Sequence, residues 1–446
     1  MRKFLSVLIV AVLAGSLTPG VAQAAYTPAG GGTFNVPRPW GSDTERYRIV
    51  RHVETAMKNT QGPTAAFPNP TIHISTYLLD RSQSVDQMVA ACRRGVSVRV
   101  ILDEDIVNRN SKRLIKILNA DNVERKADGT FTRPKAGPCN SRLPGARSAE
   151  VDDVPLTDAQ ARASAAAPTD ASATWGADGS YVKRCDGSCR GAGGNMHSKF
   201  YLFSRTGDAQ NVVMVSSSNL NRGGALLGWN DLYTMNDRPE SYRKYVDIHR
   251  EMTEDSRAGD GKVEVQDGPF TSRFFPMRRA SKANDPTLAD LNKIGCRSSF
   301  GPTQVNVSMF YWKGPRGDYL ADKLLNLARS GCDVSIIYGA PSVAIATRLR
   351  EAAGRNLINL FDSRWDFNND GYNEIRTHAK YVLVKGDFGG DNAHHIVMTG
   401  SQNWVSGSLS RGDETTLNIE LQSAWSDYMR NWTAIRNHAR RLPYNR

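Results

Sequence analysis

Two copies of one short motif stand far apart in this chain, His197-x-Lys199 and His378-x-Lys380. Of the eight histidines in the sequence, only these two are followed by Lys at the second position. On a β-strand, residues i and i+2 share a face, so each His is expected to point the same way as its Lys. Imidazole can act as a nucleophile or as a general acid and base, and an ammonium group can bind an anion. The two pairs therefore suit an attack on an anionic ester.

A second matched feature follows each motif after a turn and an apolar strand. The first half has Ser217 and Asn219 there, and the second half has Ser401 and Asn403. A returning strand can bring such residues back beside the His and Lys of their own motif. Their hydroxyl and amide groups are candidates to bind the nonbridging oxygens of a phosphodiester. We therefore expect these four residues and the two lysines to surround one phosphate group.

An acidic residue completes each set. Asp231 lies 12 positions after Asn219, and the pair Asp413-Glu414 begins 10 positions after Asn403. A carboxylate that accepts a hydrogen bond from the far nitrogen of an imidazole fixes its tautomer and stabilises its cationic form. We predict that Asp231 and Glu414 play this part. One His would then attack phosphorus while the other protonates the leaving alcohol.

The motifs need a scaffold that brings them together, and the sequence shows a diverged duplication. A strand, a helix and a second strand preceded by Gly occur in the same order in both halves. Such βαβ units predict parallel strands with helices packed on the faces of the sheet. The predicted elements are 72–79, 84–94 and 96–102 in the first half and 305–311, 318–329 and 334–338 in the second.

The first half is longer than the second between its βαβ unit and its motif. Gly95 precedes His197 by 102 positions, whereas Gly331 precedes His378 by 47, which leaves an extra segment of about 55 residues. It falls within 121–194, a region rich in Ala, Gly, Pro and Ser with no sustained period. We interpret this segment as a surface loop pinned by disulfides, with a substrate lid as the alternative.

Together, the paired motifs and duplicated βαβ halves resemble the phospholipase D superfamily, including its secreted actinobacterial members. The resemblance covers about 71–420. It implies an α/β fold of two homologous α/β/α-sandwich halves, with mixed, mostly parallel sheets related by a pseudo-twofold axis. Both motifs would then meet at the interface of the halves. The resemblance also implies a phosphohistidine intermediate, with His197 as nucleophile and His378 as general acid and base, and neither a metal ion nor another cofactor.

The chain departs from the family pattern at two points. The usual motif has Asp five positions after Lys, where this chain has Ser204 and Lys385. Ser216 also replaces the first Gly of the usual Gly-Ser pair. Because that Asp is generally structural in the family, the departures bear more on subfamily than on chemistry. The phosphatidylcholine-cleaving activity of the family therefore does not simply transfer to this chain.

The N-terminus is typical of an export signal. Arg2 and Lys3 precede an apolar run, and small residues at 22–24 supply a cleavage site. We predict a signal peptide over 1–24, an N-terminal half over 25–260 and a C-terminal half over 261–446. The six cysteines are an even set, which in a secreted chain favours disulfides of undetermined connectivity. Cys185 and Cys189 are close enough to form a local loop staple.

The charge of the chain is compatible with a phosphate-containing substrate and does not choose among the anionic partners. The formal net charge is +12, and removal of Arg2 and Lys3 leaves +10, which suits a phospholipid, a membrane surface or nucleic acid. We expect a secreted, monomeric phosphodiesterase that cleaves phospholipid and needs no obligate protein partner. Transfer of the phosphatidyl group to an alcohol is an expected side reaction. A metal-independent nuclease and a non-catalytic phosphate-binding homologue are the alternatives. Aromatic residues that could stack on bases are Trp229, Tyr311, Trp312 and Trp404.

One loop resembles the beginning of a calcium-binding loop. Asp366, Asn368 and Asp370 alternate along it, and Gly371 stands at the sixth position. The twelfth position is Thr377, where such loops have a bidentate Glu. We therefore interpret the segment as a hydrated polar loop and keep calcium binding as the alternative.

Overall fold

The computed structural model describes residues 26–104, 108–119, 179–254 and 256–442. The predicted signal peptide and most of the inserted segment 121–194 lie outside these residues. Within them, a seven-stranded and a nine-stranded sheet dominate the fold. The first sheet is built from the N-terminal half of the chain and the second from the C-terminal half.

The first half alternates strands with helices. Its strands are β1 Gly31–Phe34, β2 Thr71–Thr76, β3 Ser97–Asp103, β4 Tyr181–Cys185, β5 Phe200–Thr206, β6 Ala209–Ser216, β7 Gly228–Trp229 and β8 Asp231–Met235. Its helices are α1 Asp43–Arg46, α2 Arg48–Asn59, α3 Ser82–Arg93, α4 Arg109–Asn119, α5 Arg222–Leu227 and α6 Pro239–Thr253. The sheet order is β1-β8-β6-β5-β2-β3-β4.

The second half repeats this plan with extra edge strands. Its strands are β9 Val263–Asp267, β10 Phe270–Phe275, β11 Arg297–Ser298, β12 Gly301–Pro302, β13 Gln304–Trp312, β14 Asp333–Pro341, β15 Asn359–Asp362, β16 Arg376–Thr377, β17 Lys380–Phe388, β18 Asp391–Gly400, β19 Glu414–Ile419 and β20 Arg440–Leu442. Its helices are α7 Pro286–Asn292, α8 Gly314–Arg329, α9 Val343–Gly354, α10 Ser406–Ser410 and α11 Gln422–His438. The sheet order is β20-β15-β14-β13-β17-β18-β19-β10-β9.

The mixed α/β class and both predicted βαβ units are confirmed: β2, α3 and β3 form one unit, and β13, α8 and β14 form the other. Within the two large sheets, parallel pairing is confined to these units and to the neighbouring strands β4 and β15. The other pairs within the two large sheets are antiparallel, so the sheets are less parallel than expected. The reason is local, because each strand that follows a His-x-Lys motif turns back on itself as a hairpin, β5 with β6 and β17 with β18.

Alternation along the hairpin strands divides the core into layers. In β6, Val212 and Met214 join the cluster under the first-half helices, whereas Val213 and Val215 join a central cluster. That central cluster also contains Leu383 of β17. Side chains from both sheets therefore share one buried layer, and the two halves pack through it.

Two disulfides join described cysteines, Cys185 to Cys189 and Cys296 to Cys332. The local staple predicted for the first pair is confirmed. Among the described residues, no helix combines the length and the apolar character needed to cross a membrane.

Candidate active site

Each motif histidine is held by the backbone of the opposite half. The His197 backbone N–H donates to the carbonyl oxygen of Asp413 at 2.9 Å, and Asp413 donates back to Asn195 at 3.0 Å. The His378 N–H donates to the carbonyl oxygen of Trp229 at 2.9 Å, next to the parallel pairing of β16 with β7. These crossed contacts bring the two motifs into one site at the interface of the halves.

His197 is paired with a carboxylate. Its Nδ1 lies 3.0 Å from each oxygen of Glu414, which the second half supplies. Burial lowers the pKa of His197 below its ordinary value, although the charge of Glu414 acts in the opposite direction. Burial would raise the pKa of Glu414, but His197 and Lys199 more than offset it, so that this carboxyl stays ionised. An ionised Glu414 accepts from Nδ1–H and leaves the Nε2 lone pair of His197 free.

His378 is paired with an amide. Its Nδ1 lies 2.8 Å from Asn230 Oδ1. The amide orientation is fixed, because Asn230 Nδ2 donates to the carbonyl oxygens of Gly224 and Gly228, both at 3.1 Å. His378 Nδ1 must therefore carry the proton in the neutral ring, and Nε2 again faces away from its partner. Burial, followed by the charges of Lys380 and Lys199, holds the pKa of His378 well below its ordinary value.

The prediction that Asp231 is a histidine partner is wrong. Its carboxylate accepts from Thr399 Oγ1 at 2.5 Å and from the Tyr428 hydroxyl at 2.9 Å. Neighbouring residues of an extended segment point in opposite directions, so Asn230 faces His378 while Asp231 faces the core. Burial raises the pKa of Asp231 despite the hydrogen bond from Thr399.

The two serines of the predicted phosphate set contact the histidine partners instead. Ser217 Oγ lies 3.3 Å from Asn230 Oδ1, and Ser401 Oγ donates to Glu414. Both serines are fully buried. Each serine contacts the side chain that pairs with a histidine and orients it. The spacing in the sequence did not distinguish this positioning role from phosphate binding.

The two lysines are brought to the same place. Lys199 Nζ donates to the carbonyl oxygen of His197, and Lys380 Nζ donates to that of His378. Burial lowers the pKa of Lys199 to about 7, against the opposing charges of Glu414 and Asp103. Burial and the charge of Lys199 hold the pKa of Lys380 well below its ordinary value. Binding of an anion beside these buried ammonium groups would stabilise their charged forms.

The asparagines of the phosphate set are nearly buried and differ in their contacts. Asn219 Oδ1 accepts from the backbone N–H of Leu78 and from Thr76 Oγ1, both at 3.3 Å, so that Nδ2 remains available as a donor. Asn403 Oδ1 has no hydrogen-bond partner in the described part of the chain. The backbone oxygen of Asn403 accepts from buried Arg316 at 3.0 Å. The two lysines and Asn219 therefore offer donors to a phosphate, and neither contact described for Asn403 occupies its Nδ2 donor.

Two aromatic residues of the site were missed. The Tyr77 ring lies 5.4 Å from that of His197, and the Phe310 ring lies 4.7 Å from that of His378. Lys199 Nζ lies 5.5 Å from the Tyr77 centroid, and Lys380 Nζ lies 5.1 Å from that of Phe310. The signal was present, because both residues lie near the carboxyl end of the first strand of a βαβ unit: Tyr77 directly follows β2, and Phe310 lies two residues before the end of β13. The aromatic residues named from the sequence pack elsewhere: Trp229, Trp312 and Trp404 are buried, whereas Tyr311 is partly exposed.

The loop with the calcium-like pattern holds three carboxylates close together. One oxygen each from Asp366, Asp370 and Glu374 lies within 4.8 Å of the others, a spacing that could hold a metal ion. Glu374 stands at the ninth position of the loop. The sequence analysis considered the twelfth position and overlooked this carboxylate. Backbone N–H groups of Asp370 and Gly371 already donate to Asp366.

Comparison with known families agrees with this site. Residues 301–435, which include the His378 motif, match the family model described as the PLD-like domain of cardiolipin synthase. The match identifies a phospholipase D-like domain in the second half of the chain. No curated protein sequence matches the chain significantly.

Solved structures share the fold at low identity. Phosphatidylserine synthase from Haemophilus influenzae is 12% identical with a TM-score of 0.52, covering 93% of this chain and 88% of that one. Nuc from Salmonella typhimurium, a phospholipase D family member, is 16% identical with a TM-score of 0.28, covering 39% of this chain and 98% of its own. Polyphosphate kinase from Porphyromonas gingivalis is 11% identical with a TM-score of 0.48, covering 90% of this chain, which spans 46% of the kinase. The likeness to the synthase supports the two-half fold of this chain.

Proposed function

We propose that the protein is a secreted phosphodiesterase that cleaves phospholipid through a phosphohistidine at His197. The observation that carries the proposal is the crossed pairing of the two histidines. Each Nδ1 is occupied by a partner, Glu414 or Asn230, and each motif lysine lies beside its histidine. Two imidazoles with free Nε2 atoms and two ammonium groups are the parts that a double displacement at an anionic phosphorus requires.

In the first step, the lone pair of His197 Nε2 attacks phosphorus as the bond to the leaving alcohol breaks. His378 supplies the proton that the departing oxygen needs. In the free protein, burial and the nearby lysines hold the pKa of His378 well below its ordinary value. The negative charge of a bound phosphodiester offsets those lysines, so that substrate binding favours the protonated acid. Glu414 stabilises the positive charge that His197 acquires.

In the second step, neutral His378 takes a proton from water as the water oxygen attacks phosphorus and the bond to His197 breaks. A primary alcohol can replace water in this step, which gives a transfer product. Two successive in-line displacements retain the configuration at phosphorus. We further propose that no metal ion takes part in these steps, because two lysines and Asn219 supply the charge stabilisation that metals give other phosphodiesterases.

Phospholipid is favoured as the substrate class by the names of the matched family and of the synthase with a similar fold. The net charge of +12 also suits nucleic acid, so a nuclease remains the second candidate. The two disulfides between described cysteines support the proposal of an oxidising, extracellular location. We propose that the enzyme acts as a monomer.

The test is a phosphorus NMR assay of the purified protein against phospholipids, lysophospholipids and single- and double-stranded DNA, with ethanol present and absent. We expect release of a phospholipid headgroup, formation of a phosphatidyl ethanol and no change on addition of EDTA. The matched control is His197→Ala, which should be folded and inactive. Cleavage of DNA alone would replace the lipid proposal with the nuclease, and cleavage of nothing by a folded protein would favour a phosphate-binding homologue.

A further inference from the structure

Arg376 is a cation without a counter-ion beside the site. In the part of the chain that the structure describes, its guanidinium makes one hydrogen bond, from Nη1 to the backbone oxygen of Asn373 at 3.3 Å, and no carboxylate lies within ion-pair distance. Its Cζ lies 5.3 Å from the centroid of the Phe310 ring, which itself contacts His378. A partly buried Arg that lacks an acidic partner is uncommon, because burial of an unpaired charge is unfavourable.

Other cations near Arg376 make a bound anion more favourable. The neighbouring guanidinium, Arg364, is occupied by Asp362, with a distance of 2.9 Å from Nε to Oδ1 and of 2.7 Å from Nη2 to Oδ2. Burial and the charge of Arg364 lower the pKa of Arg376. Lys380 lies on the same Phe310 ring, 5.1 Å from its centroid. A group with negative charge would relieve this repulsion and accept the two-pronged hydrogen bonds that a guanidinium offers.

The two sides of the site differ at this position. Arg376 stands two residues before His378, and the residue two before His197 is the neutral, exposed Asn195. In an in-line displacement, the nucleophile and the leaving oxygen lie on opposite sides of phosphorus, and the general acid lies next to the leaving oxygen. With the roles proposed above, Arg376 therefore faces the alcohol that leaves or arrives, and Asn195 is next to the nucleophile.

We propose that Arg376 forms a subsite for an anionic substituent, a carboxylate or a second phosphate, on the alcohol that leaves or arrives at phosphorus. The inference rests on the proposed function for the order of the two histidines and extends it to a class of headgroup. The enzyme should therefore prefer a diester whose leaving alcohol carries a negative charge. A carboxylate and a phosphate both present pairs of oxygen acceptors to which the N–H groups of Arg can donate two parallel hydrogen bonds.

The experiment compares substrates that differ only in the anion. Phosphatidylserine and phosphatidylethanolamine differ by one carboxylate, and phosphatidylinositol 4-phosphate and phosphatidylinositol differ by one phosphate. We expect Arg376→Gln to lower kcat/KM about 10- to 100-fold for the member of each pair that carries the added anion and by less than about threefold for the member that lacks it. Arg376→Lys should restore part of the preference, because it keeps the charge and loses the fork. The pair that responds identifies the source of the anion.

Arg364→Gln is the matched control, since it removes the same charge from a guanidinium already paired with Asp362. It should leave the ratio between the members of each pair unchanged. An equal loss in Arg376→Gln on substrates with and without the added anion, or no loss on either, would overturn the subsite. An equal change of preference in Arg364→Gln would also overturn it, because a general electrostatic field would then explain the preference.

A soluble arm separates this inference from the proposed function. Glycerophosphoserine and glycerophosphoethanolamine compete with bis(4-nitrophenyl) phosphate, whose leaving group carries no anion. We expect the serine compound to inhibit the wild-type enzyme about tenfold more strongly than the ethanolamine compound does. The two compounds should inhibit Arg376→Gln equally. If no phospholipid is cleaved but this difference holds, the lipid proposal fails and the anion subsite stands. If lipids are cleaved and the difference is absent, the subsite fails alone.

Discussion

The two motif histidines have the same sequence context and different electrostatic partners. His197 meets the ionised carboxylate of Glu414, whereas His378 meets the neutral amide of Asn230. A carboxylate stabilises a lasting positive charge on an imidazole, as a phosphohistidine requires. An amide fixes the tautomer without holding the ring in its cationic form, which suits a group that must lose and regain a proton within one turnover. The two halves therefore offer the same motif with different partners, which supports the different roles proposed for the two histidines.

The largest effect expected from this comparison is the loss of either imidazole. His197→Ala and His378→Ala should each lower phospholipid turnover by about 10⁴-fold or more, because nucleophile and acid act as a unit. An activated leaving group such as 4-nitrophenol needs no proton, so His378→Ala should keep much more of the first step on that substrate than His197→Ala. Pre-steady-state release of nitrophenol measures this, with circular dichroism as the control for folding. Equal losses in the first step would contradict the division of roles.

Removal of the charge on the nucleophile side comes next. Glu414→Gln keeps a hydrogen-bond acceptor beside His197 and removes the negative charge, so we expect kcat to fall by about 10³-fold. The steady-state rate on a phospholipid measures the effect, and the melting temperature shows whether the buried amide is tolerated. A loss of less than about tenfold in a folded variant would mean that the charge of Glu414 contributes little to the cationic intermediate.

The reverse exchange tests the acid side. In the free protein, the pKa of His378 lies well below its ordinary value, so kcat/KM should fall as the pH rises through that low pKa and the acid loses its proton. Asn230→Asp places a carboxylate against Nδ1 and raises this pKa, so the descending limb of the profile should move upward by about one pH unit or more. The control is Asn230→Ala, which has no carboxylate and should not move the limb upward. An unmoved limb in Asn230→Asp would show that another group sets it.

The smallest effect is expected at Asp231, the residue that the spacing marked as a partner. Asp231→Asn retains acceptors for Thr399 and Tyr428, and its side chain does not touch His378. We expect kcat/KM to fall less than about tenfold, through the weakened charge interaction with Lys380, and the descending limb of the pH profile to stay in place. A loss as large as that in Glu414→Gln would restore Asp231 as the partner.

The sequence was sufficient for the parts of the site that depend on local pattern. The turn and the apolar strand after each motif predicted the hairpins, of which one begins directly after Lys199 and the other at Lys380. The sequence was insufficient to identify the partner of His378. Asn230 and Asp231 are adjacent, and the break in the strand between β7 and β8 sets which of them faces His378. The crossing of Glu414 to His197 is a contact over 217 positions, which no local period encodes.

The identity of the covalently modified histidine tests the central claim most directly. His378→Ala should release nitrophenol from a 4-nitrophenyl diester in a burst of about one equivalent and then stall, because the second step lacks its base. The quenched protein, digested and analysed by mass spectrometry under alkaline conditions that preserve phosphohistidine, should carry the phosphoryl group on the peptide containing His197. His197→Ala should give neither burst nor label. A label on His378 in the wild-type protein, or a burst in His197→Ala, would contradict the assignment of nucleophile and acid to the two halves.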